Sequence, residues 1–127
     1  MRIEHIAIWV SDLDLMRQFY EKYFNALSNQ KYHNNRTGFM SYFLLFENSA
    51  RIEIMTRPDI LQERSKDTTL GYAHFAFSVG SKEKVLELTE LLRNDGYTIV
   101  GEPRTTGDGY FESVIQDPDG NLVEITI

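Results

Sequence analysis

The feature that most constrains the fold of this 127-residue chain is an internal repeat. Residues 3–8 (IEHIAI) correspond to residues 72–77 (YAHFAF), and residues 51–54 (RIEI) correspond to residues 122–125 (LVEI). The matched histidines are 69 residues apart and the matched glutamates 71, so the halves agree within a two-residue insertion. Because each half reads as a strand, a helix and three strands, we predict a duplicated βαβββ unit.

In the first half, hydrophobic periodicity predicts a strand over residues 3–10 and a helix over 13–25. Three more strands are predicted over 31–32, 38–46 and 51–56. Ser11 and Asp12 are typical of a helix start. The following segment, residues 57–70, is polar and contains Pro58, which favours a linker. We therefore predict a single domain with a first module over 1–56, a linker over 57–70 and a second module over 71–127.

In the second half, a strand over 72–79 precedes a helix that ends at Gly96, a residue suited to a left-handed C-terminal position. Its inner side is predicted to consist of Val85, Leu88, Leu91 and Leu92. Beyond the helix we predict a strand over 97–100 and a loop over 101–108. Two further strands, over 110–116 and 121–127, are predicted to be joined by a tight turn at residues 117–120.

Composition excludes several classes of function. There is no cysteine, so disulfides and thiolate ligands are excluded. The net charge is −6 and lysine and arginine form no run, which argues against a nucleic-acid partner. No apolar stretch approaches the roughly 20 residues that cross a bilayer, and Glu4 and His5 are unlike a signal peptide. These features predict a cytoplasmic protein with no membrane partner.

Strand alternation places one histidine and one glutamate of each module opposite the apolar side: His5 with Glu53, and His74 with Glu124. Folding the modules together would turn these sides toward one concave space. Buried carboxylates require a charge partner or a metal, and imidazole with carboxylate suits Zn²⁺, Ni²⁺, Co²⁺, Mn²⁺ or Fe²⁺. Four protein ligands leave places for water or substrate, so we predict a catalytic site with one divalent metal.

Other interpretations of these residues remain open. The four side chains are also compatible with histidine–glutamate ion pairs in a binding groove. Trp9 lies on the same side of its strand as His5 and is a candidate for a pocket wall, the core or a subunit interface. His33 has polar neighbours and is predicted to have no role.

The chain resembles the vicinal oxygen chelate superfamily of glyoxalase I, bleomycin resistance proteins and extradiol dioxygenases. The resemblance covers essentially the whole chain and is carried by residues 3–13 (IEHIAIWVSDL), 51–55 (RIEIM), 71–79 (GYAHFAFSV) and 116–125 (QDPDGNLVEI). It implies an α+β fold with two tandem βαβββ modules forming a curved, cup-like mixed sheet with helices on the outside. It also implies a homodimer with paired modules.

By the same resemblance, His5, Glu53, His74 and Glu124 match the metal-ligand positions of glyoxalase I, and the His/Glu/His/Glu set is similar to that of bacterial enzymes preferring nickel or cobalt. Glu124 then stands in the place of the catalytic base, and Glu53 in that of the opposite acid/base. The implied activity is that of a lactoylglutathione lyase-like lyase or isomerase. It moves a proton through a metal-bound enediolate on a small substrate with adjacent oxygens, such as a thiol hemithioacetal.

Alternatives within the superfamily are a thiol transferase acting on an antibiotic, an extradiol oxygenase, and a drug-binding dimer with an aromatic groove. The first two use two histidines and one glutamate. The second glutamate, Glu53, argues against the thiol transferase, and extradiol oxygenases are generally longer than this chain. Bleomycin-type binders generally lack the metal set. Arg51 and Arg104, together with Arg36, are candidates by location for holding substrate carboxylates, and Trp9 for contacting the substrate.

Overall fold

The computed structural model describes residues 2–61, 71–107 and 109–127. The chain divides into two compact units, residues 1–64 and 65–127, which are described separately below. Most of the predicted linker, residues 62–70, and the loop residue 108 lie outside the described residues.

The first unit contains one helix and a mixed sheet. Its elements are β1 (His5–Trp9), α1 (Leu13–Phe24), β2 (Leu27–Ser28), β3 (Tyr32–His33), β4 (Met40–Leu45) and β5 (Arg51–Thr56). Strand β5 pairs parallel with β1 and antiparallel with β4, and both short strands, β2 and β3, pair antiparallel with β4.

The second unit repeats this topology. Its elements are β6 (His74–Ser78), α2 (Lys82–Asn94), β7 (Ile99–Thr105), β8 (Phe111–Gln116) and β9 (Leu122–Thr126). Strand β9 pairs parallel with β6 and antiparallel with β8, and β7 lies at the edge beside β8. The pair β2 and β3 therefore stands where β7 stands in the second unit, and the prediction of an α+β fold with tandem βαβββ modules is confirmed.

Both helices begin with a side-chain cap. The Asp12 carboxylate accepts a hydrogen bond from the backbone N–H of Leu15 at 2.9 Å, and the Ser81 hydroxyl accepts one from Lys84 at 3.3 Å. Helix α1 ends at Phe24, and the next residue, the C-cap Asn25, adopts the left-handed conformation with φ of 54°. Past α2, Gly96 has φ of 88° and supplies the predicted stop.

Each helix packs on one face of its own sheet. In the first unit, α1 buries an aromatic-rich stripe consisting of Leu13, Met16, Phe19, Tyr20, Tyr23 and Phe24. The sheet residues Ile52 and Ile54 are buried, as are Val123 and Ile125 in the second unit. Alternation along β5 and β9 then directs Glu53 and Glu124 to the face opposite the buried side chains.

The predicted inner side of α2 is wrong at one position. Leu91 is 45% exposed, whereas Thr89 is fully buried with Val85 and Leu92. Positions 85, 89 and 92 follow the i, i+4, i+7 spacing of one helix face. Thr89 is tolerated in this stripe because its hydroxyl has hydrogen-bond partners.

The prediction of a strand over 97–100 and a loop over 101–108 is also wrong. Residues Ile99–Thr105 form the continuous strand β7 despite Pro103. Its pairing with β8 shifts register between Ile99 and Gly101 and again between Gly101 and Arg104. Because β7 is an edge strand with such irregularities, the missing N–H of a proline is tolerated there.

Within the described residues, neither helix is long and apolar enough to cross a membrane.

Candidate metal-binding site

The first histidine–glutamate pair lies on two neighbouring parallel strands. His5 on β1 is in register with Arg51 on β5, and Ala7 is in register with Glu53, so Glu53 lies two residues further along the partner strand. Residues two apart point to the same face of a sheet. The Nε2 atom of His5 is 3.9 Å from a carboxylate oxygen of Glu53.

The second pair repeats this arrangement at the same register. His74 on β6 is in register with Leu122 on β9, and Ala76 is in register with Glu124. The Nε2 atom of His74 is 3.3 Å from a carboxylate oxygen of Glu124. Two pairs with the same strand order, register and donor atoms follow directly from the repeat.

The two pairs also share a pattern of exposure. The histidine side chains are 39% and 42% exposed, whereas those of Glu53 and Glu124 are only 16% and 19% exposed. A largely buried carboxylate beside an accessible imidazole has lost most of its hydration and requires a positive partner. Each pair is therefore open enough to admit a ligand and needs a cation or a proton donor.

Donor separations in the pairs are compatible with a shared metal. Two ligand atoms that each lie about 2.1 Å from a metal are about 3.0 Å apart at a right angle and about 3.4 Å apart at a tetrahedral angle. The 3.3 Å separation falls in this range. The 3.9 Å separation is about 0.5 Å wider than the tetrahedral value. Imidazole nitrogen and carboxylate oxygen also suit the borderline divalent metals.

The described residues gather histidine and carboxylate side chains in pairs, and they contain no group of three or more that could hold a metal. The structure therefore brings His5 to Glu53 and His74 to Glu124.

An ionic cluster surrounds the first pair. The Glu4 carboxylate contacts Nδ1 of His5 through one oxygen and Nη2 of Arg51 through the other. The hydrogen bond from His5, together with the bond and charge of Arg51, lowers the pKa of Glu4 despite partial desolvation. Phe43 packs its ring edge-to-face with His5 at 5.4 Å, and the Arg51 guanidinium lies 4.2 Å from the centre of the Phe43 ring.

Sequence reasoning missed Glu4 and Phe43. Glu4 lies just before β1, which begins at His5, so alternation along the strand does not dictate the direction of its side chain. The only available signal was an acidic residue directly before a candidate ligand. Phe43 is in register with Glu53, and this pairing becomes visible only once β4 and β5 are aligned.

Three further predicted residues lie in different surroundings. Trp9 is 46% exposed; its ring meets Phe39 edge-to-face at 6.2 Å, and the Arg57 guanidinium lies 5.6 Å from the ring centre. Arg104 lies on β7 rather than in a loop, 3.9 Å from the carboxylate of Glu112. His33 is exposed at the end of β3.

Comparison with known proteins gives the class of the chain. The family model described as "Glyoxalase/Bleomycin resistance protein/Dioxygenase superfamily" matches residues 2–125. The chain therefore belongs to the glyoxalase/bleomycin resistance protein/dioxygenase superfamily, which confirms the resemblance drawn from the sequence.

Individual relatives and solved structures are similar to this chain over nearly its whole length. The chain is similar to the uncharacterized protein YqjT of Bacillus subtilis, with 26% identity over 130 residues covering 97% of this chain and 96% of the relative. The glyoxalase family protein from Enterococcus faecalis shares its fold, with a TM-score of 0.81, 24% identity, and coverage of 99% and 97% of the two chains. The trypanothione-dependent glyoxalase I of Leishmania major gives a TM-score of 0.78, 25% identity, and coverage of 99% and 86%.

Proposed function

We propose that the protein is a metal-dependent lyase or isomerase of the glyoxalase I type. The observation that carries this proposal is the presence of the same histidine–glutamate pair, at the same strand register, in both modules. The two pairs together supply His5, Glu53, His74 and Glu124 as ligands for one divalent metal, with nickel or cobalt favoured over zinc or manganese. We further propose a homodimer with paired modules, in which a second chain completes each site.

A bound divalent metal would polarise the adjacent oxygens of a small substrate and acidify the neighbouring C–H bond. In this proposal Glu124 accepts that proton and returns it to the adjacent carbon, so the carboxylate is restored and the product is an isomer of the substrate. Glu53 stands as the acid/base on the opposite face of the substrate. Glutamate suits these roles because a carboxylate can both bind a metal and exchange protons. Both carboxylates are largely shielded from water and lie beside the histidine of their own module, where a shared metal and substrate would meet them.

Metal titration tests the ligand set. Metal-free protein is titrated with nickel, cobalt, zinc and manganese, and we expect about one metal per chain, because four ligands bind each metal and each chain carries two pairs. Two metals per chain would indicate that each pair acts alone and would contradict the shared site.

Substitution of the ligands makes the test specific. His74→Ala and Glu124→Ala are expected to abolish stoichiometric binding while the protein remains folded by circular dichroism. The matched control is His33→Ala, which removes an exposed histidine outside both pairs and should leave binding unchanged. Full metal occupancy in both ligand variants would refute the assignment. Protein that binds metal is then assayed with methylglyoxal and a panel of thiols.

A second candidate function is the binding of a flat aromatic ligand without catalysis. It is favoured by an exposed aromatic cluster on the first module, in which Phe39 contacts both Trp9 and Tyr32. Trp9 is the single tryptophan of the chain, so its fluorescence reports directly on this cluster. Quenching by flat ligands with no metal bound in the titration would favour this function over the lyase.

A further inference from the structure

We propose that Glu4 is a positioning residue that holds His5 in one tautomer and directs its Nε2 atom toward the metal. This inference rests on the proposed function, because it assigns His5 as a ligand. It adds a residue outside the four-ligand set and makes the two modules unequal.

The contacts of Glu4 are divided between its two oxygens. One oxygen meets Nδ1 of His5, and the other meets the guanidinium of Arg51. The backbone N–H of Arg51 also donates to the carbonyl of Glu4 at 3.1 Å, which ties the residue before β1 to the start of β5. Each oxygen of this carboxylate, which is 54% exposed, therefore has its own partner, the imidazole on one side and the guanidinium on the other.

The chemistry of the contact fixes the imidazole. An ionised carboxylate only accepts hydrogen bonds, so the nitrogen facing it, Nδ1, must carry the proton. A neutral imidazole then has its lone pair on Nε2, which is the atom that lies toward Glu53. Metal-binding histidines commonly donate their other ring N–H to a carboxylate, which orients the ring and raises its basicity as a ligand.

Aromatic packing restricts the same ring further. His5 and Phe43 meet edge-to-face at 5.4 Å, and the Arg51 guanidinium, which also contacts Glu4, lies 4.2 Å from the centre of the Phe43 ring. Rotation of His5 would break both the contact with Glu4 and the contact with Phe43. The ring is thus preorganised before any metal arrives.

The second module has no counterpart to this arrangement and serves as an internal control. The positions equivalent to Glu4, Arg51 and Phe43 are Ala73, Leu122 and Val114, none of which has a side-chain hydrogen-bonding group. At these described positions, His74 therefore has no counterpart of the Glu4 carboxylate. Removing Glu4 should change His5 and leave His74 unaffected.

The experiment begins with metal-free protein. Protein labelled with ¹⁵N on histidine is measured by NMR at alkaline pH, where imidazole is neutral and the two ring nitrogens report the tautomer. We expect His5 to carry its proton on Nδ1 in the wild type and to become a tautomer mixture in Glu4→Leu. Glu4→Gln retains an oxygen acceptor and should keep the wild-type tautomer. A wild-type His5 protonated on Nε2, or a tautomer unchanged in Glu4→Leu, would overturn the proposal.

Metal affinity provides the second readout, by competition with a chelator. Glu4→Leu is expected to bind metal about 10 to 100 times more weakly, the range seen when such supporting contacts are lost. The control Glu47→Gln removes one negative charge from an exposed position of the same module and should stay within about twofold of the wild type. If Glu4→Leu and Glu47→Gln weakened metal binding equally, the proposal would be overturned, because the effect of Glu4 would then come only from its negative charge and not from its contact with His5.

The two measurements separate failure of this inference from failure of the proposed function. A wild-type protein that binds no metal refutes the proposed function, whereas the tautomer measurement still decides whether Glu4 controls His5. A wild-type protein that binds metal while Glu4→Leu binds it equally well refutes the role of Glu4 alone.

Discussion

A buried pair of hydroxyl groups joins α2 to the sheet behind Glu124 and yields a quantitative prediction. Thr89 on α2 and Ser113 on β8 are both fully buried, and their hydroxyl oxygens are 2.7 Å apart. The Thr89 hydroxyl also donates to the backbone carbonyl of Val85 at 2.6 Å. Because each hydroxyl has one hydrogen, Ser113 must donate to Thr89.

Thr89→Val keeps the shape of the side chain but leaves the Ser113 O–H without an acceptor. A buried polar group without its partner costs about 1–3 kcal/mol, so the free energy of unfolding should fall by that amount. Adding Ser113→Ala removes the stranded hydroxyl, and replacing both partners by apolar groups is nearly neutral. The double variant is therefore expected to be more stable than Thr89→Val alone.

Urea denaturation of the wild type, the two single variants and the double variant measures this coupling as a double-mutant cycle. Metal binding provides the control, because both hydroxyls are buried on the helix side of the sheet whereas Glu124 lies on the other face. The double variant should bind metal like the wild type. Additive losses in the double variant, or a Thr89→Val protein as stable as the wild type, would refute the reasoning.

Two further perturbations test contacts in the first module. The hydrogen bond from Lys31, and then that from Tyr42, lowers the pKa of Asp14 below its ordinary value of 3.8. The ionised Asp14 carboxylate therefore stabilises the fold above pH 3.8, and this stabilisation is lost as the pH falls through the lowered pKa of the folded state. The stability difference between wild type and Asp14→Asn, measured by thermal unfolding, should therefore shrink from pH 6 toward about pH 2; a difference that persists at low pH would contradict this. Gly38 has φ of 72°, and an added Cβ would lie 2.7 Å from a ring carbon of Pro58. Gly38→Ala should lower the free energy of unfolding by at least about 1 kcal/mol. The loss should exceed that of Gly96→Ala, because Gly96 has a positive φ but a Cβ there would meet no atom within 4 Å. Equal losses for the two variants in urea denaturation would show that the clash with Pro58 has no effect.

The two histidine–glutamate pairs could be placed from the sequence because strand alternation and the repeat both constrain them. Alternation gives the face of His74 and Glu124 from their apolar neighbours, and the matching offsets predict that His5 and Glu53 adopt the same relation. The observed registers agree with this, with each glutamate two residues beyond the partner of its histidine. For these two pairs, the alternation of each strand and the topology of the sheet both place the histidine and the glutamate on the same face.

The wrong predictions come from residue preferences along the sequence that the surrounding sheet or helix packing overrides. Pro103 argues against a strand, but its position at the sheet edge removes the objection. Hydrophobicity predicts Leu91 on the inner side of α2, whereas helix geometry places Thr89 in the buried stripe, where two hydrogen bonds satisfy its hydroxyl. The contact between Glu4 and Arg51 spans 47 residues, so no local pattern contains it.

The repeat also bears on where specificity would reside in the proposed enzyme. Duplication supplies both modules with the same ligand pair, so the pairs by themselves do not distinguish one end of a substrate from the other. A substrate whose two reacting carbons differ requires residues at which the modules differ, because function depends on the site rather than on the fold. Among such differences, Glu4, Trp9 and Arg51 of the first module correspond to Ala73, Ser78 and Leu122 of the second. We therefore expect substitutions at Trp9 to change which substrates are accepted, measured as the ratio of kcat/KM between an aromatic and an aliphatic substrate, while substitutions at Ser78 leave that ratio unchanged.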